Sequence, residues 1–284
     1  MKLRAQISLV ILSSFAVLFL FVLFSGPSDK LIVTFFDIGQ GDSIYIKSPS
    51  GIEMLIDAGP DKKVLQRLGK QMKPFDRAID IVLVTHPDKD HIGGIPGVLG
   101  AYSVSLFIDS GSINENGVYE ETEKLVKEKL KEGLVRKTAF AGQRIDLGGG
   151  VVFTTLFPER DVSNLETNDA SIVGLLTYGE HSVLLTGDAG LMTEYAILSQ
   201  LPSDITVLKA GHHGSDSSTS FELLEKTTPQ IAVLSLGENN SYGHPHKKVV
   251  DALSQFKVEM YRTDIQGSVS FISDGETFEI KTSK

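Results

Sequence analysis

The sequence contains no cysteine among its 284 residues. Without thiols the chain forms no disulfide, has no thiolate nucleophile and offers no cysteine ligand for zinc. His, Asp and Glu must therefore supply any metal ligands. Basic residues are also in the minority, because 27 Lys and Arg stand against 36 Asp and Glu, a formal net charge of −9. A broad basic surface that holds a polyanion by charge alone is excluded, so any contact with nucleic acid would be local.

The remaining composition is that of an ordered globular protein. Hydrophobic residues make up 41% of the chain and charged residues 22%, which excludes a disordered or collagen-like chain. The length fits one large α/β domain as well as two small domains.

One long apolar run lies near the N-terminus. Ile7–Phe24 carries no charge and is interrupted only by serines; as a helix it would span about 27 Å, close to the hydrocarbon thickness of a bilayer. We therefore predict a transmembrane anchor in residues 1–27 and a separate folded domain in residues 28–284. Lys2 and Arg4 precede the run, so the positive-inside tendency places the domain outside the membrane. A cleaved signal peptide is the alternative.

Beyond this run, β-rich segments alternate with helical patterns. Strands are predicted at Leu31–Asp37, Ser43–Lys47, Glu53–Asp57, Ile79–Thr85, Val104–Asp109, Val151–Phe157, Ser171–Tyr178, Ser182–Thr186, Ile205–Lys209, Ile231–Ser235, Val258–Tyr261, Gly267–Ile272 and Thr277–Ile280. Helices are predicted at Asp61–Met72, Ile95–Ala101, Glu120–Glu132, Leu191–Gln200, Ser220–Lys226 and Lys247–Phe256. Two successive sets of strands with intervening helices predict two sheets stacked between helical layers.

The densest cluster of ionisable residues follows the predicted strand Ile79–Thr85. Within six residues lie His86, Asp88, Asp90 and His91. Such side chains are costly to bury together unless a cation organises them, because the carboxylates repel and each desolvated charge needs a partner. On a loop they can diverge toward two ions about 3.5–4 Å apart, an arrangement used in metal-assisted hydrolysis. The segment therefore predicts a metal site.

Further potential ligands follow two other predicted strands. Asp188 lies after Ser182–Thr186, and the glycine-flanked pair His212 and His213 lies after Ile205–Lys209. Loops at strand ends are where α/β folds assemble their sites. We therefore expect these side chains to meet the first cluster.

The string His-x-Asp-x-Asp-His at positions 86–91 resembles the His-x-His-x-Asp-His signature of the metallo-β-lactamase superfamily. Other segments, in the same order along the chain, are similar to the C-terminal hydrolase domain of ComEC-type competence proteins and their stand-alone relatives. These segments are Phe36–Asp42, Leu55–Gly59, Thr186–Asp188, Lys209–Ser215 and Asn240–Pro245. The resemblance covers about Leu31 to Ile280 and implies an α/β fold of the four-layer αββα sandwich type, preceded here by one transmembrane helix.

The resemblance also implies a set of metal ligands and two divalent ions, Zn²⁺ or Mn²⁺. The implied ligands are His86 and Asp88 for the first ion, Asp90, His91 and His212 for the second, with His213 as the alternative to His212, and Asp188 as a bridge. Asp88 stands where the signature has a histidine, and the chain offers only residues 168–171 in place of a further histidine loop. The first site is therefore richer in oxygen, which favours Mn²⁺ or Mg²⁺ relative to Zn²⁺.

Three residues are the candidates for direct chemistry. Asp90 would orient the attacking water, and His244 or His213 would donate a proton to the leaving group or bind the substrate oxyanion. Asp57 would support a ligand histidine from behind. His181, in a predicted hairpin turn, is expected at the surface.

The resemblance implies a metal-dependent phosphodiesterase, with DNA as the leading substrate and competence DNA uptake as the context, and the apolar run adds a membrane anchor. The protein would cross a bacterial-type cell membrane once, with its folded domain on the outside. Because the chain has only one long apolar run, either it would work beside a separate DNA-channel protein or it would hydrolyse another phosphodiester or ester outside the cell. Two alternatives stay open: a hydrolase of lactams, lactones or other esters, and a non-catalytic cell-surface binding module.

Overall fold

Two β-sheets lie face to face in the computed structural model, which describes residues 12–15 and 29–284. Apart from the single helical turn formed by residues 12–15, the predicted anchor Ile7–Phe24 lies outside the described residues. No helix that the structure describes combines the length and the apolarity that a bilayer crossing requires.

The described residues form strands in both halves of the chain, with helices between them. The strands are β1 (Leu31–Phe35), β2 (Ile44–Lys47), β3 (Glu53–Ile56), β4 (Ala78–Val84), β5 (Ser103–Asp109), β6 (Val135–Thr138), β7 (Arg144–Asp146), β8 (Val152–Phe157), β9 (Val173–Tyr178), β10 (His181–Leu185), β11 (Val207–Lys209), β12 (Ile231–Leu234), β13 (Glu259–Arg262), β14 (Val269–Ser273) and β15 (Phe278–Thr282). The α-helices are α1 (Lys63–Gln71), α2 (Lys89–Ile92), α3 (Ile95–Ala101), α4 (Gly117–Leu130), α5 (Leu191–Ile197), α6 (Phe221–Thr227), α7 (Lys247–Gln255) and α8 (Thr263–Gln266). Short 3₁₀ turns lie at Asn168–Ala170, Leu198–Gln200 and Gly211–Gly214.

The strand order brings the carboxyl ends of several strands to common edges. Within the described chain, the first sheet has the order β15-β14-β1-β2-β3-β4-β5-β6 and the second β13-β12-β11-β10-β9-β8-β7. Strands β3 to β6 run parallel to one another, and so do β10 to β13. The loops after neighbouring parallel strands therefore lie side by side, where α/β folds build their sites.

Side-chain alternation along the strands separates three apolar cores. In β10, Val183 and Leu185 face the other sheet, whereas Leu184 faces the helices, as the two-residue period of a strand requires. The inter-sheet core includes Val33, Phe35, Met54, Ile56, Phe153, Leu176, Val183 and Leu185. The two outer cores include Leu55, Val64, Val98 and Val126 on the first sheet and Leu184, Leu223, Leu224 and Leu253 on the second. The predicted four-layer αββα sandwich is confirmed.

Sequence patterns missed the elements that carry little apolar signal. The edge strands β6 and β7 are short and mostly exposed, and one apolar residue in each is too little to predict a strand. The short helices α2 and α8 were also not predicted. His181 was expected at the surface, but this prediction is wrong: it is the first residue of β10, is buried, and its ring contacts the rings of Phe271 and Phe278.

Tight packing in the inter-sheet core gives a testable prediction at Gly174 of β9. A methyl group at this position would approach Phe153 Cζ to 2.0 Å. We expect Gly174→Ala to lower the free energy of unfolding by about 1–3 kcal/mol, because a buried ring must leave its rotamer. Phe153→Leu in the same chain should recover part of that loss. Urea unfolding followed by circular dichroism measures both effects.

A matched control is available at Gly69, an exposed position in α1. The structure places no described atom within 4 Å of a methyl group added there. Gly69→Ala should raise the free energy of unfolding by up to about 1 kcal/mol, since alanine favours helix. Equal stability of Gly174→Ala and the wild type would contradict the packing described for β9.

Candidate metal centre

Three loops bring ionisable side chains to one edge of the sandwich. His86 follows β4, and the short helix α2 presents Asp90 and His91. Asp188 follows β10, and His213 lies in the 3₁₀ turn after β11. Because β4 belongs to the first sheet and β10 and β11 to the second, the site is complete only when the two sheets pack together.

Four of these residues, which we call the inner group, lie close enough to hold one ion. The inner group is Asp90, His91, Asp188 and His213, whose ligand atoms all lie within 4.8 Å of one another. Asp188 Oδ2 is 3.3 Å from His91 Nε2 and 3.2 Å from His213 Nε2. Asp90 Oδ2 is 3.3 Å from His213 Nε2. Two nitrogen and two oxygen donors converging on one point form a ligand set suited to a divalent transition metal.

Hydrogen bonds on Nδ1 aim the two imidazoles of the inner group. His91 Nδ1 donates to Asp57 Oδ2 at 2.7 Å, as expected for Asp57, and His213 Nδ1 donates to the Ser235 carbonyl oxygen at 2.8 Å. These bonds fix both rings and leave Nε2 facing the carboxylates. Both Nε2 atoms are buried, and neither has a hydrogen-bond partner of sound geometry among the described residues. Such nitrogens fit a cation held between them and the carboxylates.

Charge within the metal-free centre follows from these contacts. Burial lowers the pKa of His91, but Asp188 and Asp57 outweigh burial and raise this pKa well above its ordinary value. Burial likewise lowers the pKa of His213, but Asp188 and the other nearby carboxylates outweigh burial and raise this pKa well above its ordinary value. Both imidazoles are therefore protonated near neutral pH when no metal is bound. A metal ion that takes their Nε2 atoms must displace protons, so its affinity falls as the pH falls.

Burial raises the pKa of Asp188, but the imidazoles of His213 and His91 and the ammonium of Lys209 outweigh burial and hold this pKa well below its ordinary value. Burial also raises the pKa of Asp90, but contact with the His213 imidazole and the charge of His91 outweigh burial, so this pKa too is lowered. Both carboxyl groups are therefore ionised and able to bind a cation.

His86 and Asp88, which we call the outer pair, lie beside the inner group. His86 Nε2 is 3.7 Å from Asp88 Oδ2, and the His86 and His91 ring centroids are 4.1 Å apart. Burial and the charge of His91 lower the pKa of His86 to about 3, so this ring is neutral. Asn114 donates to Asp88 Oδ1 at 2.9 Å, which leaves Oδ2 to face His86. The predicted ligands of the first ion are thus brought together next to the predicted ligands of the second.

The two adjacent histidines lie at different depths in the site. His212 was the first choice for the second ion, but its Nε2 lies 3.9 Å from Asp188 Oδ2 and its Nδ1 contacts Ser217 Oγ at 3.1 Å. It lies at the rim, 29% exposed, whereas His213 is 1% exposed and belongs to the inner group. Both residues have left-handed backbone, with φ of 46° and 56°, and this conformation sends adjacent side chains in different directions. Strained backbone of this kind is concentrated at functional sites.

His244 lies beside both of these histidines and is buried. Its ring centroid is 5.7 Å from that of His212 and 6.3 Å from that of His213. Asn240 fixes the backbone here, because its side chain accepts from the His244 N–H and donates to the His244 carbonyl oxygen. Burial, followed by the charge of His213, lowers the pKa of His244 to about 4. The ring is therefore neutral near pH 7, which favours binding of a substrate oxyanion over donation of a proton.

The loop before β2 closes the floor of the site. Gly41 has a φ of 126°, and a Cβ atom there would lie 2.1 Å from the Asp90 carbonyl oxygen. Only glycine permits this conformation and this close approach. The Asp42 N–H donates to the same carbonyl oxygen at 3.2 Å. The loop therefore holds the start of α2, and with it Asp90, in place.

Sequence reasoning missed one charged residue at the centre. Lys209, the last residue of β11, is fully buried, and its Nζ lies 2.6 Å from Asp42 Oδ2 and 3.5 Å from Asp188 Oδ1. The available signal was a lysine that ends an apolar strand and directly precedes the Gly-His-His loop. Its length allows the ammonium to reach from the second sheet to the loop that follows β1.

Removing one or the other of the adjacent histidines tests the assignment within the inner group. We expect His213→Ala to weaken binding of the first Mn²⁺ or Zn²⁺ ion at least about 100-fold, because a ligand nitrogen is lost. His212→Ala is the matched control and should change that affinity less than about 10-fold, the effect of a neighbour that does not bind the ion. Isothermal titration calorimetry measures both, and equal losses would contradict the assignment.

Comparison with known proteins identifies the family. Residues 36–238, which include the inner group and the outer pair, match the family described as Metallo-beta-lactamase superfamily. ComE operon protein 3 of Bacillus subtilis (strain 168) is 31% identical over 274 residues, covering 90% of this chain and 34% of that protein. Competence protein ComA of Neisseria gonorrhoeae is 28% identical over 248 residues, covering 86% of this chain and 33% of that protein. The chain thus spans about a third of the length of these relatives.

Among solved structures, Igni18, a metallo hydrolase from the archaeon Ignicoccus hospitalis KIN4/I, has a similar fold. Its TM-score is 0.53 at 16% sequence identity, and the match covers 85% of this chain and 98% of that chain. Both comparisons agree with the four-layer sandwich described above. The chain belongs to the metallo-beta-lactamase superfamily.

Proposed function

We propose that this protein is a metal-dependent phosphodiesterase that cleaves DNA. The observation that carries the proposal is the inner group, in which two buried imidazole nitrogens and two carboxylates converge on one point. A divalent ion bound there would supply an activated water and neutralise charge on a substrate oxygen. Hydrolysis at such a site needs no thiol, in agreement with the absence of cysteine.

The residues of the inner group differ in their access to water. Asp188 is 3% exposed, whereas the Asp90 side chain is 34% exposed and is ionised because its pKa is lowered. Asp90 is therefore the carboxylate that can accept a hydrogen bond from an attacking water. His244, which is neutral and lies beside His212, can donate a ring N–H to a phosphate oxygen.

Two observations support DNA as the substrate. One relative is named a competence protein and another is named for the ComE operon, and competence is the uptake of DNA by cells. In addition, Tyr242 is 64% exposed, and its ring lies 5.7 Å from the His244 ring at an angle of 23°. Exposed aromatic rings beside a catalytic centre are suited to stack on the bases of a single strand. The acidic net charge does not oppose this, because bound dications accept phosphate oxygens directly.

Turnover assays on the purified full-length chain test this function. We expect Mn²⁺- or Zn²⁺-dependent cleavage of single-stranded DNA, double-stranded DNA or bis-p-nitrophenyl phosphate, and loss of cleavage when EDTA removes the ion. Asp188→Asn should lower kcat/KM at least about 100-fold, because a charged ligand becomes neutral. Glu180→Gln is the matched control, since Glu180 is an exposed carboxylate in the turn before β10, at the opposite end of that strand.

The outcomes separate this proposal from its alternatives. Turnover of lactam, lactone or thioester substrates alone would replace it with the second type of hydrolase. Bound metal without turnover of any substrate would favour a binding module, and Asp188→Asn would then leave binding of DNA unchanged.

The membrane location belongs to the same proposal. The apolar run Ile7–Phe24, preceded by Lys2 and Arg4, supports an anchored domain that faces outward and receives DNA at a separate channel protein. Trypsin added to intact cells that express the full-length chain should digest the domain and spare a cytoplasmic marker protein. Protection of the domain until the cells are lysed would contradict the outward location.

A further inference from the structure

The buried ammonium of Lys209 is the one cation of the described residues that contacts the inner group from behind. Its Nζ lies 2.6 Å from Asp42 Oδ2, donates to the Gly187 carbonyl oxygen at 2.7 Å, and lies 3.5 Å from Asp188 Oδ1. A fully buried lysine is costly unless oxygens surround it. These three oxygens meet that requirement and fix the position of the charge.

Lys209 divides the two oxygens of Asp188. Oδ1 faces the ammonium, whereas Oδ2 faces His91 Nε2 at 3.3 Å and His213 Nε2 at 3.2 Å. A carboxylate that binds two ions through both oxygens would have to turn Oδ1 away from Lys209. That rotation would leave a buried ammonium with fewer oxygens, which is costly.

The Lys209 ammonium also contacts a second set of potential metal ligands. Asp42, Asp57 and His91 also place ligand atoms within 4.8 Å of one another. However, Lys209 already balances Asp42, and Asp57 accepts the Nδ1 hydrogen of His91. This set is therefore a charged support beneath the site.

We propose that Lys209 is a positioning residue that restricts Asp188 to one ligand oxygen and so makes the two ion positions unequal. The inner group binds the first ion tightly, because it has four ligands. The outer pair binds a second ion weakly. It has only two ligands of its own, it shares Asp188 Oδ2 with the first ion, and it lies close to the fixed positive charge of Lys209. The inference rests on the metal binding of the proposed function and not on its substrate.

The test compares Mn²⁺ binding by the full-length wild type and by the double variant Lys209→Met, Asp42→Asn. The double variant replaces an ion pair by neutral side chains of similar shape, so no unpaired charge is left by the removed pair. Isothermal titration calorimetry should give two dissociation constants for the wild type that differ at least about 100-fold, and the ratio should fall at least about 10-fold in the double variant. Electron paramagnetic resonance at one equivalent of Mn²⁺ should show isolated ions in the wild type and a larger share of spin-coupled pairs in the double variant.

The single variant Asp42→Asn is the control, because Lys209 stays beside Asp188 in it. We expect its ratio of dissociation constants to remain as large as in the wild type. The proposal is overturned by equal affinities or coupled pairs at one equivalent in the wild type, by an unchanged ratio in the double variant, or by the same fall in the control. Where the double variant does not fold, equal affinities or coupled pairs in the wild type still overturn the proposal. Ordered binding of two ions without DNA cleavage would overturn only the proposed function.

Discussion

The site depends on one constraint: buried carboxylates and imidazoles must meet where the two sheets adjoin. His91 comes from the first sheet, and Asp188 and His213 come from the second. Desolvated carboxylates and imidazoles at such short distances are unstable unless opposite charges balance them. Protons on the imidazoles balance the charge of the carboxylates, and a bound metal ion would balance it in their place. Folding of the two sheets and formation of the metal site are therefore linked.

Most ligands share one design: one atom is held by the protein and the other faces the site. His91 and His213 are held at Nδ1, Asp88 at Oδ1 by Asn114, and Asp188 at Oδ1 by Lys209. Because the supporting atoms belong to strand ends and short turns, the ligands are oriented before an ion arrives. Loss of such support typically lowers metal affinity by about 10–100-fold.

Most of the fold could be predicted from the sequence, because the apolar residues of its cores recur along the chain in segments of strand length. A continuous apolar run such as Val183–Leu185 requires apolar contacts on both faces of the strand, and this fits only sheets covered on both sides. The edge strands β6 and β7 have one exposed face and little apolar content, so the same reasoning could not detect them. His181 shows a related limit, since its burial depends on Phe271 and Phe278 from a distant hairpin.

The sequence by itself determined the class of chemistry. Acidic and imidazole residues after three apolar strands are sufficient to predict a metal centre at one edge of an α/β sandwich, because strand ends meet at that edge. Only the tertiary structure decided between His212 and His213. Both residues follow the same strand at nearly the same distance, so the sequence does not distinguish them. Their left-handed backbone determines which ring points inward. The tertiary structure also decided the burial of Lys209, because a lysine at the end of a strand is ordinarily solvated, and only the packing of the second sheet against the first places its ammonium between Asp42 and Asp188.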